Sequence, residues 1–260
     1  MIYGVAPRVM PRSAVSQGDG IVRAMDNDLL TRARRRFYNL GGPWYRCKIA
    51  ETVGSQRFSH PALFGMDRLI AELVPHGGTF FEAGAHDGYT QSNTYFLERF
   101  CGWHGVLVEP MPETRKKCER RRSGSQVFGC ALAGPGHPKT LTMHFGDLMS
   151  KVDDPTYAQG GLNVTGRKAY AMPVPARTLS EVLDEAGLES PVDVMVLDLE
   201  GHEIEALSGL DFERHAPRFL MLESLDGESK SRARFDPVLD PHFSFREMMS
   251  DYDLLYERRS

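Results

Sequence analysis

From Thr79 onward the chain repeats one unit, a short apolar run followed by a turn and then a stretch with helical spacing. Runs without polar alternation suit strands covered on both faces, and their alternation with helices is the pattern of a mostly parallel sheet, an α/β fold. The strands read as Thr79–Ala83, 105–109, 126–132, 192–199, Phe219–Glu223 and 252–256, the last counted as the sixth. Two further strands, Thr140–Phe145 and 172–177, flank a glycine-rich loop at 157–166. Helices are expected from the turn at 84–89 through Phe100, and then over 113–122, Leu179–Ala186 and 202–207.

A chain of 260 residues can bury one substantial core, so one catalytic domain is expected. Its net charge of −4 offers no basic footprint for phosphates, which argues against nucleic acid as a partner. Cys47, Cys101, Cys118 and Cys130 are widely spaced and form no metal or redox motif, so they read as reduced thiols. No apolar run resembles a leader or reaches the roughly 20 residues of a membrane span, and a cytoplasmic location is expected.

Residues 1–20 mix Pro, Gly and Ser without a period and read as an arm. Apolar positions from Ile21 to Leu40 fall at helical spacing, with Arg32, Arg34, Arg35 and Arg36 mostly off that face. Such a face ordinarily meets water or a second copy, which makes this helix the candidate homo-oligomer contact; gripping an acidic substrate is the alternative. Gly41-Gly42-Pro43 then predicts a helix end, a loop carrying Trp44 and Tyr45, and a second helix over 61–74. The expected organisation is an N-terminal arm and helical extension over 1–74 and a catalytic domain over 75–260.

In the stretch Phe80-Phe81-Glu82-Ala83-Gly84-Ala85-His86-Asp87-Gly88, a carboxylate ends an apolar strand and two glycines set the turn into a helix. Glycines there permit a tight turn and close approach of a ligand to the backbone. The pattern is not the G-x-G-x-x-G fingerprint that cradles a pyrophosphate, and Asp87 stands where that diphosphate would sit. A nicotinamide-dependent oxidoreductase is therefore the weaker rival. Glu109 ends the next strand, where a carboxylate can accept both hydroxyls of a ribose. Together the two tips suggest an adenosine ligand with a cationic tail.

The first-strand motif and the later Val194-Met-Val-Leu-Asp198-Leu-Glu200-Gly201-His202-Glu203-Ile-Glu-Ala-Leu-Ser-Gly209 resemble the FkbM family of methyltransferases. Gln91-Ser92-Asn93-Thr94 and Trp103-His-Gly-Val-Leu-Val-Glu109-Pro110 are also similar to a subgroup of it. The resemblance implies a Rossmann-like class I methyltransferase sheet, helices on both faces, and S-adenosylmethionine as cofactor. It implies that Glu82, Gly84, Ala85, Asp87, Gly88, Ser92, Asn93, Glu109, Pro110 and Asp198 line the donor site, with Ala131 near the adenine. It further implies O-methylation of a small-molecule or glycan acceptor, on a hydroxyl of a sugar, glycolipid or polyketide-type natural product. Such a sheet closes with a seventh, antiparallel strand. Since the chain stops at Ser260 after the run counted as sixth, either that strand is missing or the count is off by one.

Asp198 and Glu200 end the fourth core strand two residues apart, and ligands in open α/β sheets bind at that edge. A carboxylate-rich rim suits a sulfonium cation. It would also suit a divalent metal held by Asp198, Glu200 and Glu223, which is not favoured because no paired acids extend the cluster; Glu200 as a cap of the next helix is the ordinary alternative. His202, at the start of that helix, is the candidate base with Asp198 beside it, while His86 and His144 are lesser candidates. The loop from Tyr157 to Tyr170 is expected to border the acceptor pocket, with Arg167 or Lys168 meeting a polar substrate. A non-catalytic protein of the same fold, kept for binding, is the remaining alternative.

Overall fold

The computed structural model describes residues 42–75, 77–145, 150–152, 170–188 and 191–259. The helix expected over 21–40, the loop at 157–166, Arg167 and Lys168 lie outside the described residues. In chain order the elements are α1 (Gly42–Thr52), a 3-10 turn (Leu63–Gly65), α2 (Met66–Leu73), β1 (Thr79–Ala83), α3 (Tyr95–Phe100), β2 (His104–Val108), α4 (Pro112–Arg121), β3 (Gln126–Phe128) and β4 (Ala131–Leu132). They continue with β5 (Thr140–Phe145), β6 (Lys151–Val152), β7 (Tyr170–Arg177), α5 (Leu179–Ala186), β8 (Val194–Leu197), α6 (Glu203–Ser208) and α7 (Phe212–His215). The last are β9 (Phe219–Glu223), α8 (Glu228–Leu239), β10 (Phe243–Met248) and β11 (Asp253–Arg258).

A seven-stranded sheet is ordered β3-β2-β1-β8-β9-β11-β10. The first five strands run parallel, and β11 lies antiparallel between β9 and β10. The run at 252–256 is thus the seventh strand, and the strand that sequence spacing misses is the sixth, β10. A register shift between Phe245 and Glu247 breaks the alternation of β10, and its polar residues sit on the sheet edge. The run at 126–132 also divides. β3 pairs with β2, whereas β4 joins a four-stranded sheet ordered β4-β7-β5-β6.

The central strands are covered on both faces because successive side chains point to opposite sides. Phe81, Val106, Met195 and Leu220 pack on one side with Leu179, Val182, Phe235 and Leu239 of α5 and α8. Phe80, Leu107, Val194 and Met221 pack on the other with Met66 and Ile70 of α2 and Leu97 of α3. α2 therefore shares a core with the sheet. Each such Phe or Leu contributes about 1.5–3 kcal/mol of burial. Met111, Ala131, Met143 and Val174 make a separate small core for the four-stranded sheet.

Where a loop with Trp44 and Tyr45 is expected, the chain forms α1. Pro43 sits in its first turn, where a missing N–H costs nothing and the fixed φ favours helix, so Gly42-Pro43 starts a helix. Buried Cys47 packs with Tyr89 and Tyr95, and Glu51 accepts hydrogen bonds from the Tyr95 hydroxyl at 2.9 Å and the Ser59 hydroxyl at 3.1 Å. Burial alone would raise the Glu51 carboxyl, but Lys48, Cys47, Tyr95 and Arg99 bring it down to about 2. Among the described residues no helix is long and apolar enough to cross a membrane.

Candidate active site

The turns leaving β1, β2 and β8 line one cleft at the carboxyl edge of the large sheet. Glu82, Gly84, Asn93, Glu109, Pro110, Ala131, Asp198, Glu200 and His202 line it, and so does His86. Ala85, Asp87, Gly88, Ser92, His144 and Glu223 are not among the lining residues. Val108, Leu132, Met143 and Val152 add an apolar wall shared between the two sheets. A flat, weakly polar ring system is the kind of group that such a wall accepts.

The first turn is tied together from within. Glu82 accepts hydrogen bonds from the Ser92 hydroxyl at 3.1 Å, the Asn93 amide at 2.8 Å and the Thr94 hydroxyl. Asp87 accepts the Tyr89 and Thr90 amides at 3.0 and 2.7 Å and pairs with Arg121. Burial would raise the Asp87 carboxyl, but His86 and Arg121 hold it well below the usual carboxylate range. A Cβ on Gly84 would stand 2.2 Å from the Asp198 carbonyl oxygen, so the glycine lets β1 and β8 end side by side. At Gly88 a Cβ would meet Cys118 at 3.0 Å, so this glycine seats α4. Asp87, Gly88 and Ser92 therefore build the turn that presents Glu82, His86 and Asn93.

One residue central to this turn carries no sequence signal. Arg122, one residue past α4, is fully buried and donates to Glu98 at 2.8 Å, Ser92 Oγ at 3.0 Å and Thr94 Oγ1 at 2.8 Å. Its guanidinium also lies 3.7 Å from Glu82. In the sequence it is the last residue of the helix expected over 113–122, at the end of a run of basic residues. The fork of donors explains the choice of Arg, since it satisfies two carboxylates and two hydroxyls at once.

Glu109 is buried at the end of β2, and burial pushes its carboxyl up. Oε1 accepts the Met111 amide at 2.8 Å and the Thr114 hydroxyl at 2.9 Å, and the His86 backbone also donates to the carboxylate. A carboxylate has about four lone-pair sites, so these three donors leave about one for a further hydroxyl group.

The turn after β8 is built differently. Glu200 has φ 56 and Gly201 has φ 102, and the Glu203 carboxylate reaches back to the Leu199 and Gly201 amides at 3.1 and 2.9 Å. Glu203 thus does the bracing that sequence logic offers to Glu200. Asp198, Glu200 and Glu223 each offer an oxygen within 4.8 Å of the others. Burial, a hydrogen bond shared with Glu223 and the charges of Glu223, Glu200 and Glu203 raise the Asp198 carboxyl well above its ordinary value. His202 stands at the N-cap of α6 without capping it, and its buried Nε2 has no hydrogen-bond partner. His202 also lines the cleft, and a buried ring nitrogen left without a partner is one that a ligand group can satisfy.

A family model described as the methyltransferase FkbM domain matches residues 82–252. No curated protein sequence matches at a significant level. Among solved structures, an FkbM methyltransferase from Methylobacillus flagellatus is 14% identical with a TM-score of 0.46, over 76% of this chain and 47% of that one. A TehB-like methyltransferase from Corynebacterium glutamicum is 12% identical with a TM-score of 0.42, over 87% and 99%. An RNA methyltransferase from Salinibacter ruber in complex with S-adenosyl-L-homocysteine is 13% identical with a TM-score of 0.40, over 77% and 94%.

Proposed function

Because the chain belongs to the FkbM family of S-adenosylmethionine-dependent methyltransferases, we propose that it transfers a methyl group to a hydroxyl of a sugar, glycolipid or polyketide-type natural product, with His202 taking the hydroxyl proton. The observation that carries this reading is the unpartnered, buried His202 Nε2 on the wall of the cleft that also holds Glu109 and Asp198. The donor supplies an electrophilic methyl on a sulfonium. The residues present fit it: the spare lone-pair site on Glu109 suits a ribose hydroxyl, the wall with Ala131, Leu132 and Met143 suits an adenine, and the carboxylates at the ends of β8 and β9 suit a cation.

The chain's own groups then supply position and proton transfer. In-line displacement at a methyl needs the acceptor oxygen held close and aligned, which a preformed cleft provides. With the donor held by Glu109 and the carboxylates at the ends of β8 and β9, an aligned acceptor hydroxyl would lose its proton to His202 Nε2 as it takes the methyl group. Calorimetry on the full chain with S-adenosylmethionine, S-adenosylhomocysteine and NADH tests the donor. Saturable binding of the first two is expected, and binding of NADH alone would sink the proposal. His202→Ala should bind donor normally while turnover falls about 10²–10⁴-fold. Wild-type turnover would remove His202 from the reaction.

A second reading adds a divalent cation, favoured by the three oxygens of Asp198, Glu200 and Glu223. Turnover unchanged by EDTA and by added Mg²⁺ would remove it.

A further inference from the structure

We propose that Phe64 and Tyr252, with Leu63 and Leu225, form a docking platform for the apolar part of an uncharged methyl acceptor, beside the β8 and β9 end of the cleft; this rests on the methyltransferase reading of that cleft. Among the described residues four that are not glycine have left-handed backbone, Phe64 (φ 54), His86, Gln91 and Glu200. The last three line the cleft. Bulky side chains avoid this conformation, and such strain concentrates at sites of function. At Phe64 the strained backbone holds an aromatic ring out in water, 60% exposed, with the ring of Tyr252 6.0 Å away.

The pair is tied to the cleft through β9. Tyr252 accepts a backbone hydrogen bond from Ser224 at 2.8 Å, and Ser224 follows Glu223, whose carboxylate stands with those of Asp198 and Glu200. Leu225, 65% exposed, is the next residue, and Leu63 is exposed beside Phe64. Two loops from distant parts of the chain thus bring apolar side chains beside the carboxyl end of β9.

Charge and size select the occupant. Exposed Asp226, with the Arg234 guanidinium 4.0 Å away, and Asp251 adjoin Leu225 and Tyr252 in the chain, and with Glu200 and Glu223 they make the approach anionic. That field repels acidic acceptors and anionic membrane surfaces. Four side chains are also far short of the roughly 800 Å² per partner that a stable dimer buries. An uncharged head carrying an apolar group fits both the charge and the patch.

The test uses the full chain saturated with S-adenosylhomocysteine and titrated with hexyl and octyl β-D-glucopyranoside below their micellar concentrations. Octyl glucoside should bind several-fold more tightly than hexyl, roughly twofold per added methylene at a partly open site. Phe64→Gly and Tyr252→Ser should each remove that chain-length dependence while donor affinity stays unchanged. Glycine accepts the left-handed backbone, so Phe64→Gly should keep or raise the thermal midpoint. Equal binding of the two glycosides, or a lower midpoint with unaltered glycoside binding, would overturn the platform. So would sedimentation with neutral phosphatidylcholine vesicles, or self-association, that disappears in Phe64→Gly. Failure of S-adenosylhomocysteine to bind would instead strike the methyltransferase reading, and it is seen before any glycoside is added.

Discussion

The two sides of the site, the turns after β1 and β2 and the ends of β8 and β9, hold carboxylates in opposite ways. On the β1 and β2 side, Glu82, Asp87 and Glu109 are met by amides, hydroxyls, Arg121 and the buried Arg122. On the β8 and β9 side, Asp198, Glu200 and Glu223 face one another, and Asp198 is driven toward its protonated form. The first side spends its acids on holding a shape. The second keeps negative potential in reserve, which a bound cation would relieve. The lesson is that an acidic residue at a strand end has no fixed meaning until its donors are known.

The largest test of this contrast is Arg122→Met. Removing the cation strands Glu82 and Glu98 in a buried setting, which should cost about 3–5 kcal/mol in urea denaturation. Asp198→Asn removes repulsion and should leave stability equal or higher. A comparable loss in both variants would erase the distinction between the sides.

Glu109→Ala comes next. Losing a charged acceptor for a ribose hydroxyl should weaken donor binding by roughly 10- to 100-fold in calorimetry, with the fold intact by circular dichroism. Unchanged affinity would show that Glu109 serves only Met111, Thr114 and the His86 backbone.

The smallest effect is the pH dependence of stability, and its two limbs have opposite sign. Asp87 has a depressed value, so its contribution is complete above about pH 4 and is lost as pH falls toward the folded value. Asp198 has a raised value, so its penalty is absent below about pH 4 and grows as pH rises toward the folded value. Arg121→Met should flatten the acid limb and Asp198→Asn the upper one, each on the order of 1 kcal/mol per unit of difference between folded and unfolded values. Upper limbs that coincide in wild type and Asp198→Asn would contradict the raised carboxyl.

These differences also mark what could be read from the chain alone. β1, β2, β8 and β9 are legible because strands buried on both faces leave unbroken apolar runs such as Phe219–Glu223. α5 is legible because its Thr178–Glu181 capping box and the glycine at 187 mark both ends. α8 is not, since Pro237 and scattered charges hide its buried Phe235 and Leu239. In α1 apolar residues fall on both faces, with Cys47 buried and Tyr45 and Ile49 exposed. Glu82, Glu109, Asp198 and His202 are recoverable as strand-end and turn residues. The partners of Glu82 and the burial of Arg122 depend on contacts across the fold, which spacing does not encode.

The division of the run at 126–132 between two sheets has a consequence for how this protein can change. The small sheet contributes Met143 and Val152 to the pocket wall yet keeps its own core with Met111, Ala131 and Val174. Its side chains can therefore drift with little penalty to the large sheet, and ligand preference becomes separable from foldability. A mutagenic library confined to β5 and β6 would explore new pocket walls on a constant catalytic frame, as lineages diverging from a common ancestor would have been free to do.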